Sequence, residues 1–257
     1  MRIQIVGLEK KELASYIRKN HPKLKITNNP EVILCYGGDG TLLYAERHFP
    51  KKIKVMIRKS QICSKCLNET RENILQELEK KNFKIIQQHL LEAAVKKNKV
   101  YGLNDILIAH EKINTALRFK ISLDGIQYGH EILGDGVLIS TPFGSTGYYQ
   151  SITRSNFQRG IGIAFNNTVN FIGHLVIKEK TIIKIEITRG PGLVFPDNAK
   201  KSIKVETGDI IKISRSTKFA NLANFKGKNR KYNIGMSQNR VPLGLCQICA
   251  KGYTEYV

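Results

Sequence analysis

The sequence predicts an α/β N-terminal part followed by a β-rich C-terminal part. Over about the first hundred residues, short apolar runs alternate with amphipathic segments of helical period, which is typical of a parallel sheet with helices on its faces. After that, short alternating runs are separated by turn residues, which is typical of antiparallel β-structure. Because the chain has 257 residues, it has room for two ordinary domains. We predict an α/β domain over residues 1–98, a β-rich domain over 99–225 and a basic C-terminal tail over 226–257.

The elements of the first part follow from the spacing of apolar residues. Strands are predicted at residues 2–6, 32–36, 54–57 and 83–86, and helices at residues 9–19 and 69–81. The second strand runs directly into a glycine-rich segment, and a further helix is predicted to begin at Leu42.

The second part contains a hairpin signal. Residues 118–123 alternate polar and apolar side chains, Asp124-Gly125 supplies a two-residue turn, and residues 126–128 begin the return strand. The same alternation occurs at residues 182–187 and 203–214, where it is broken at Gly208-Asp209. These runs predict a mostly antiparallel β-structure.

The charge is strongly positive, with 42 Lys and Arg against 21 Asp and Glu, a net charge of +21. A field of this size favours anionic partners such as nucleotides, polyphosphate or nucleic acid without choosing among them. Surface lysines that serve solubility or heat tolerance explain part of the excess, but Glu is not raised with them. No apolar segment approaches the roughly 20 residues of a membrane span, and the first residues lack a signal-peptide pattern. We expect a cytoplasmic protein that does not insert into membranes.

The first chemical motif is Gly37-Gly38-Asp39-Gly40-Thr41, at the end of an apolar strand. Glycines there allow the backbone N–H groups of a tight loop and a helix N-terminus to approach a phosphate. A carboxylate beside phosphates is unfavourable unless it holds a metal ion or accepts a proton, so Asp39 indicates catalysis. The alternative is that Asp39 only caps the helix.

The second motif is Ser140-Thr141-Pro142-Phe143-Gly144-Ser145-Thr146-Gly147-Tyr148, which also follows an apolar strand. Its hydroxyls, its small residues and its terminal aromatic ring suit a nucleoside. The alternative is a Pro- and Gly-containing turn with Ser145 capping a short helix, which explains single residues better than the set.

The two segments resemble the signature motifs of NAD kinases, the Gly-Gly-Asp-Gly-Thr loop and the Ser-Thr-Pro-x-Gly-Ser-Thr-Ala-Tyr loop. Gly102-Leu103-Asn104-Asp105 is similar to the Asn-Glu pair of that family, and the three motifs stand in the family's order over roughly residues 30 to 215. Diacylglycerol and sphingosine kinases share only the first loop. The resemblance implies a Rossmann-like α/β domain, a β-rich NAD-binding domain and a tail that returns to the first domain.

The resemblance also implies residue roles. Asp39 would be the catalytic carboxylate that takes the proton from the 2′-hydroxyl of the adenosine ribose of NAD. The residues that would bind the nucleotides are Gly38, Gly40, Thr41, Asn104, Asp105, Thr146, Gly147 and Tyr148. Mg²⁺ would accompany the donor, ATP or polyphosphate, and the chain would form a homo-oligomer, a dimer or tetramer.

The chain departs from the family pattern at four places. Residues 58–66 replace a usual Gly-x-Leu-Gly-Phe-Leu segment, and Leu133 stands where an Arg is common. Gly147 replaces an Ala, and Pro196-Asp197-Asn198 stands where an Asp-Gly-Gln turn is usual; we interpret it as a turn only. The surroundings of the nucleotide must therefore differ from those in typical members.

Four cysteines form two Cys-x-x-Cys pairs, Cys63 with Cys66 and Cys246 with Cys249, and Cys35 lies in an apolar strand as a core residue. Four thiolates in such pairs suit a tetrahedral structural zinc ion, which is our preferred hypothesis. Disulfides and unpaired thiols remain the alternatives.

Two further classes of function remain open. A kinase of the same superfamily could phosphorylate a lipid or nucleoside hydroxyl, and a substrate panel would identify it. An inactive relative could bind nucleotides or nucleic acid, with a steep dependence on salt. The basic residues are scattered and not interleaved with aromatics, which disfavours nucleic acid.

Overall fold

The computed structural model describes residues 1–59, 63, 65, 66 and 69–225. Its first half alternates strands and helices, as predicted. The elements are β1 (Arg2–Val6), α1 (Lys10–Asn20), β2 (Lys25–Ile26), β3 (Val32–Gly37), α2 (Asp39–His48), β4 (Ile53–Arg58) and α3 (Arg71–Glu79).

The second half is built mainly of strands. They are β5 (Phe83–Val95), β6 (Asn98–Gly102), β7 (Asp105–His110), β8 (Leu117–Leu123), β9 (Ile126–Ser140), β10 (Ile161–Thr168), β11 (Leu175–Ile177), β12 (Ile183–Arg189), β13 (Gly192–Pro196), β14 (Ile203–Val205) and β15 (Ile210–Phe225). A short 3₁₀ helix (Gly144–Thr146) and α4 (Tyr148–Thr153) follow β9. The predicted fold class, α/β followed by β-rich structure, is confirmed.

The strands pair in two patterns that meet at β15. In the first half β2, β1, β3 and β4 are parallel neighbours in that order. In the second half β7, β8, β9, β12 and β13 pair antiparallel, and Asp124-Gly125 forms the predicted hairpin turn. Strand β15 pairs antiparallel with β5 and β12 and parallel with β4 at Asn221 and Leu222. Gly40, just after the carboxyl end of β3, lies beside the turn that follows β13, where the Asn198 side chain contacts it.

Buried apolar side chains form separate clusters in the α/β half and in the β-rich half. The helices of the first half pack through their apolar faces, with Leu13 and Ile17 of α1 and Ile74, Leu75 and Leu78 of α3 all buried. A larger cluster fills the β-rich half. In the part of the chain that the structure describes, no helix is both long and apolar enough to cross a membrane.

Strand β5 and helix α2 differ from their predicted bounds for physical reasons. Strand β5 continues to Val95, far beyond residue 86, because its register with β15 extends from Phe83–Phe225 to Ala94–Lys212. Helix α2 begins at Asp39 and not at Leu42, so the last residues of the glycine motif form its first turn.

Candidate active site

The glycine motif forms the junction between β3 and α2. Gly38 is the N-cap residue of α2, and Asp39 is the first helical residue, so the alternative in which Asp39 caps the helix is wrong. A Cβ on Gly37 would lie 2.3 Å from Thr41 Oγ1, which explains the glycine at this position. Gly40 is exposed, while Asp39 and Thr41 are half-buried. The helix N-terminus and the Asp39 carboxylate therefore face the same accessible region.

Asp39 is held from outside its own helix by the segment after β4. Its Oδ1 atom accepts the backbone N–H of Lys65 at 3.0 Å and lies 3.1 Å from the Sγ atom of Cys63. Backbone donation to an ionised carboxylate is a strong type of hydrogen bond and fixes the orientation of the acceptor. The segment that departs from the family pattern thus positions the predicted catalytic group.

In the Asn104-Asp105 motif, Asn104 lies between β6 and β7 and Asp105 begins β7, and both are buried, with 7% of each residue exposed. Asp197, just after β13, holds it by accepting the backbone N–H groups of Leu103, Asn104 and Asp105 at 2.9, 2.7 and 3.2 Å. The N–H of Asp197 in turn donates to the carbonyl oxygen of Asp105 at 2.9 Å. One carboxylate therefore shapes the whole loop.

The second motif packs directly on the same loop. The Thr141 hydroxyl donates to the carbonyl oxygen of Leu103 at 2.8 Å, and the Thr141 N–H donates to that of Asn104 at 2.8 Å. A Cβ on Gly144 would lie only 2.0 Å from Asn104 O, so the two motifs approach closely because this residue is glycine. The motifs predicted separately from the sequence form one structural unit.

Gly144 and Gly147 offer a matched test of this packing. We expect Gly144→Ala to destabilise the fold by about 3 kcal/mol, because its Cβ would overlap backbone that bonded neighbours hold in place. Gly147→Ala is the control, since its Cβ would meet Gly144 O at 3.2 Å and Asn104 Nδ2 at 3.6 Å. Denaturant unfolding of both variants measures the difference. Equal stabilities would contradict the packing described.

The remaining residues of the second motif lie at the start of α4. Thr146 ends the 3₁₀ helix, and Gly147 is the N-cap of α4. Tyr148 keeps 41% of its surface exposed, and its hydroxyl accepts the side-chain amide of Asn166 at 3.3 Å. The alternative in which Ser145 caps a short helix is wrong, because the N-cap residues are Phe143 and Gly147. The Ser145 hydroxyl lies instead within hydrogen-bond distance of the carbonyl oxygens of Pro142 and Phe157, at 2.8 and 2.9 Å.

The turn after β13 also contacts the glycine motif. The Asn198 side-chain amide donates to Gly40 O at 3.3 Å, and Arg47 of α2 donates to Asn198 Oδ1 at 2.5 Å. Asp197 and Asn198 therefore connect the Asn104-Asp105 loop to α2. Sequence reasoning assigned them to a turn only and missed this role.

Two buried carboxylates give the site its electrostatic character. Burial and, to a lesser extent, the negative charge of Asp197 raise the pKa of Asp105 from 3.8 to about 7, against the opposing effect of the positive charge of Lys65. Burial also raises the pKa of Asp197, opposed mainly by its three backbone donors. The Asn104 Oδ1 atom is buried and has no hydrogen-bond partner among the residues that the structure describes. A buried polar atom of this kind is costly unless water or a ligand satisfies it, so the loop is a candidate binding element.

Comparison with known proteins assigns the chain to a family. Residues 103–225 match the family model described as the ATP-NAD kinase C-terminal domain. The chain is also 30% identical to the NAD kinase of Sulfurisphaera tokodaii over 184 residues, which are 68% of this chain and 73% of that protein. The chain belongs to the NAD kinase family. Alignments with three other NAD kinases cover 54, 46 and 48% of those proteins, so this chain spans about half of the length of each.

Solved structures of NAD kinase family members share the fold. An NAD kinase from Archaeoglobus fulgidus in complex with ATP matches with a TM-score of 0.75 at 20% identity, covering 91% of this chain and 97% of that one. Yeast NADH kinase complexed with NADH matches with a TM-score of 0.79 at 15% identity, covering 95% of this chain and 90% of that one. The NAD kinase-like architecture predicted from the motifs is therefore confirmed.

In this NAD kinase family member the first cysteine pair does not have the two free thiolates that the preferred zinc hypothesis requires. Cys63 and Cys66 are joined in a disulfide, one of the alternatives, and two sulfurs bonded to each other cannot act as two zinc thiolates. Cys246 and Cys249 lie outside the described residues. Among those that are described, no group of three His, Cys, Asp or Glu side chains could hold a metal ion. A four-cysteine zinc site stays a prediction without support from this part of the chain. Cys35 is a buried free thiol, as expected.

Peptide mapping tests the state of the first cysteine pair. We expect the peptide containing Cys63 and Cys66 to be alkylated only after reduction, because the disulfide leaves neither sulfur as a thiol. The sulfurs of Cys246 and Cys249 are mapped in the same digest as an internal comparison. Alkylation of the first pair without reduction, together with about one zinc ion per chain, would restore the zinc hypothesis.

The pH dependence of stability tests the burial of Asp105. Because its pKa is higher in the folded protein, the folded protein binds this proton more tightly than the unfolded chain does. The contribution of Asp105 to stability therefore falls as the pH rises from about 4 to about 7, by at most about 1.4 kcal/mol per pH unit.

Asp105→Asn removes this titration. We expect the difference in the free energy of unfolding, variant minus unmodified protein, to increase as the pH rises over the same window. Denaturant unfolding at several pH values measures it. A difference between the two proteins that does not change with pH would contradict the raised pKa.

Proposed function

We propose that this protein is an NAD kinase that transfers the terminal phosphoryl group of ATP to the 2′-hydroxyl of the adenosine ribose of NAD. The observation that carries the proposal is the convergence of three motifs on one place. Asp39 at the start of α2, the buried loop of Asn104 and Asp105, and the loop ending at Tyr148 are joined by direct hydrogen bonds through Lys65, Asp197 and Thr141.

The first loop supplies the phosphate site and the base. The first turn of α2 leaves backbone N–H groups without helical partners, and they favour anionic oxygens. Gly38, Gly40 and Thr41 shape this site, and Asp39 takes the proton of the attacking hydroxyl. Phosphoryl transfer depends mainly on positioning and charge stabilisation, so a base fixed by a backbone donor suits the reaction.

The other loops supply the acceptor site. The unpartnered Oδ1 of Asn104 is an acceptor for a hydroxyl group, and the Asp105 carboxylate binds ribose hydroxyls when it is ionised. Thr146, Gly147 and the exposed ring of Tyr148 hold the adenosine half, since an aromatic face stacks on a base. Binding of NAD then strengthens as the pH rises toward the raised pKa of Asp105.

The metal and the donor follow from the same chemistry. The carboxylate oxygens of Asp39 are of the hard type that Mg²⁺ prefers, so this residue fits a Mg²⁺ ion that arrives with the phosphates of the donor. Bound Mg²⁺ would neutralise charge on the transferred group. The Archaeoglobus fulgidus relative was crystallised with ATP, and the positive net charge also suits polyphosphate as an alternative donor.

A substrate panel tests the proposal. The purified protein is incubated with NAD⁺, NADH, a nucleoside or a diacylglycerol, each with Mg²⁺ and either ATP or polyphosphate. We expect a phosphorylated dinucleotide with ATP and no lipid or nucleoside product. Transfer only to a lipid or nucleoside would support the superfamily alternative. Light scattering of the same sample tests the expected dimer or tetramer.

A further inference from the structure

Lys65 lies in the segment that departs most from the pattern of the NAD kinase family. Only 3% of its surface is exposed, although it stands between half-buried Cys63 and Cys66. Burying an ammonium group is costly unless it is hydrogen-bonded. A buried lysine at this place therefore needs an explanation.

The contacts of Lys65 reach all three motifs. Its backbone N–H donates to Asp39 Oδ1 at 3.0 Å. Its ammonium donates to the carbonyl oxygen of Phe143 and, at 2.6 Å, to the hydroxyl of Thr146, and it lies 4.5 Å from the centroid of the Phe143 ring. Its charge also lowers the pKa of Asp105. Lys65 thus connects three parts of the site: its backbone N–H contacts the base, and its ammonium contacts the nucleoside loop and lowers the pKa of the buried acid.

Lys54 shows what a purely structural buried lysine does in this protein. Its ammonium pairs with the carboxylate of Glu46, and this buried ion pair joins β4 to α2. The ammonium of Lys65 points instead to the loop that precedes Tyr148. A glycine-rich segment, as in typical family members, offers no charge at this position.

We propose that Lys65 is a positioning residue for the acceptor nucleotide, whose ammonium holds the Phe143 to Thr146 loop against the Asp39 loop and adds a positive charge beside the anionic dinucleotide. The proposal rests on the proposed function, because it takes the dinucleotide as the occupant of the site. It predicts that the charge of Lys65 determines the affinity for NAD and not for the phosphoryl donor.

The experiment measures NAD⁺ binding directly by calorimetry over a range of pH. Lys65→Met keeps the length of the side chain but removes its charge and donors, and Lys65→Arg keeps the charge. We expect Lys65→Met to weaken NAD⁺ binding about 10- to 100-fold, the usual effect of losing a hydrogen bond to a charged group. ATP binding should change by less than about two-fold. Lys54→Met is the matched control, which should lose stability and keep its NAD⁺ affinity.

The pH profile separates this role from a structural one. Asp105 faces Lys65 and Asp197, and Asp197 faces Arg47 of α2. Because the charge of Lys65 opposes the raised pKa of Asp105, its loss in Lys65→Met should shift the rise of NAD⁺ affinity to higher pH. Lys65→Arg should leave that rise in place. Lys65→Gln, which keeps a donor without a charge, carries the same test if the Met variant does not fold.

The outcomes decide the two proposals separately. Unchanged NAD⁺ affinity in Lys65→Met, or equal losses of NAD⁺ and ATP affinity with an unshifted pH profile, would overturn the role of Lys65. An unmodified protein that binds NAD⁺ but forms no phosphorylated product would instead overturn the proposed function, while the binding data still decide the role of Lys65.

Discussion

Asp39→Asn is expected to lower kcat for NAD phosphorylation by about 10²- to 10⁴-fold, the usual contribution of a positioned general base. The amide keeps the shape of the side chain and an oxygen that can accept the Lys65 N–H, so the loop should keep its structure. NAD⁺ binding, measured by calorimetry, should therefore change little. Steady-state kinetics of the purified variant give the comparison with the unmodified enzyme.

Asp124→Asn is the matched control for this prediction. Asp124 lies in the β8–β9 hairpin turn with φ of 51°, a conformation that Asn tolerates well, and Asn retains the oxygen that accepts the Ile182 N–H. The two variants change the charge equally, and only the one at Asp39 should lose turnover. Undiminished kcat in Asp39→Asn would remove Asp39 from its proposed role.

Asp197→Ala is expected to destabilise the fold by about 3 to 5 kcal/mol, because three backbone N–H groups lose their common acceptor in a buried loop. It should also weaken NAD⁺ binding by about 100-fold, since a displacement of about 1 Å in a positioning loop has effects of this size. Denaturant unfolding and calorimetry measure the two effects on the same sample.

Asp209→Ala provides the comparison. Asp209 also accepts a backbone N–H, that of Glu206, but its turn joins β14 to β15 and it pairs with Lys96. Its loss should cost about 1 kcal/mol and leave NAD⁺ binding unchanged. Equal effects of the two variants on binding would mean that Asp197 does not shape the candidate site.

The elements that the sequence predicted well depend on local patterns. The period of the apolar residues predicted β1, the positions of α1 and α3, and the β8–β9 hairpin, because each burial pattern is set within a few neighbouring residues. The predicted start of α2, at Leu42, was wrong. The glycines of the motif weaken the helical signal in the sequence, although the last residues of the motif form the first turn of the helix. The full length of β5 depends on its pairing with β15, more than a hundred residues away.

The sequence predicted the individual motifs of the candidate site but not the contacts that join them. Asp39 stood out because a carboxylate beside a phosphate site is unfavourable without a further role, and Asn104 and Asp105 stood out because they resemble the Asn-Glu pair of NAD kinases. Asp197 bonds residues 92 to 94 positions away, and no local pattern distinguishes it from an ordinary turn aspartate. Lys65 lies in a segment that the sequence showed as a departure from the family pattern with a Cys-x-x-Cys pair, and no role was predicted for the lysine. A lysine between two cysteines gives no sign that its ammonium will be buried.

The identity of the product from NAD⁺ and ATP tests the central claim most directly. The purified protein is incubated with both substrates and Mg²⁺, and the dinucleotide product is isolated and examined by ³¹P NMR and mass spectrometry. We predict one added phosphate on the 2′-hydroxyl of the adenosine ribose, formed in proportion to ADP. A phosphate on any other hydroxyl, or hydrolysis of ATP without a phosphorylated dinucleotide, would contradict the account.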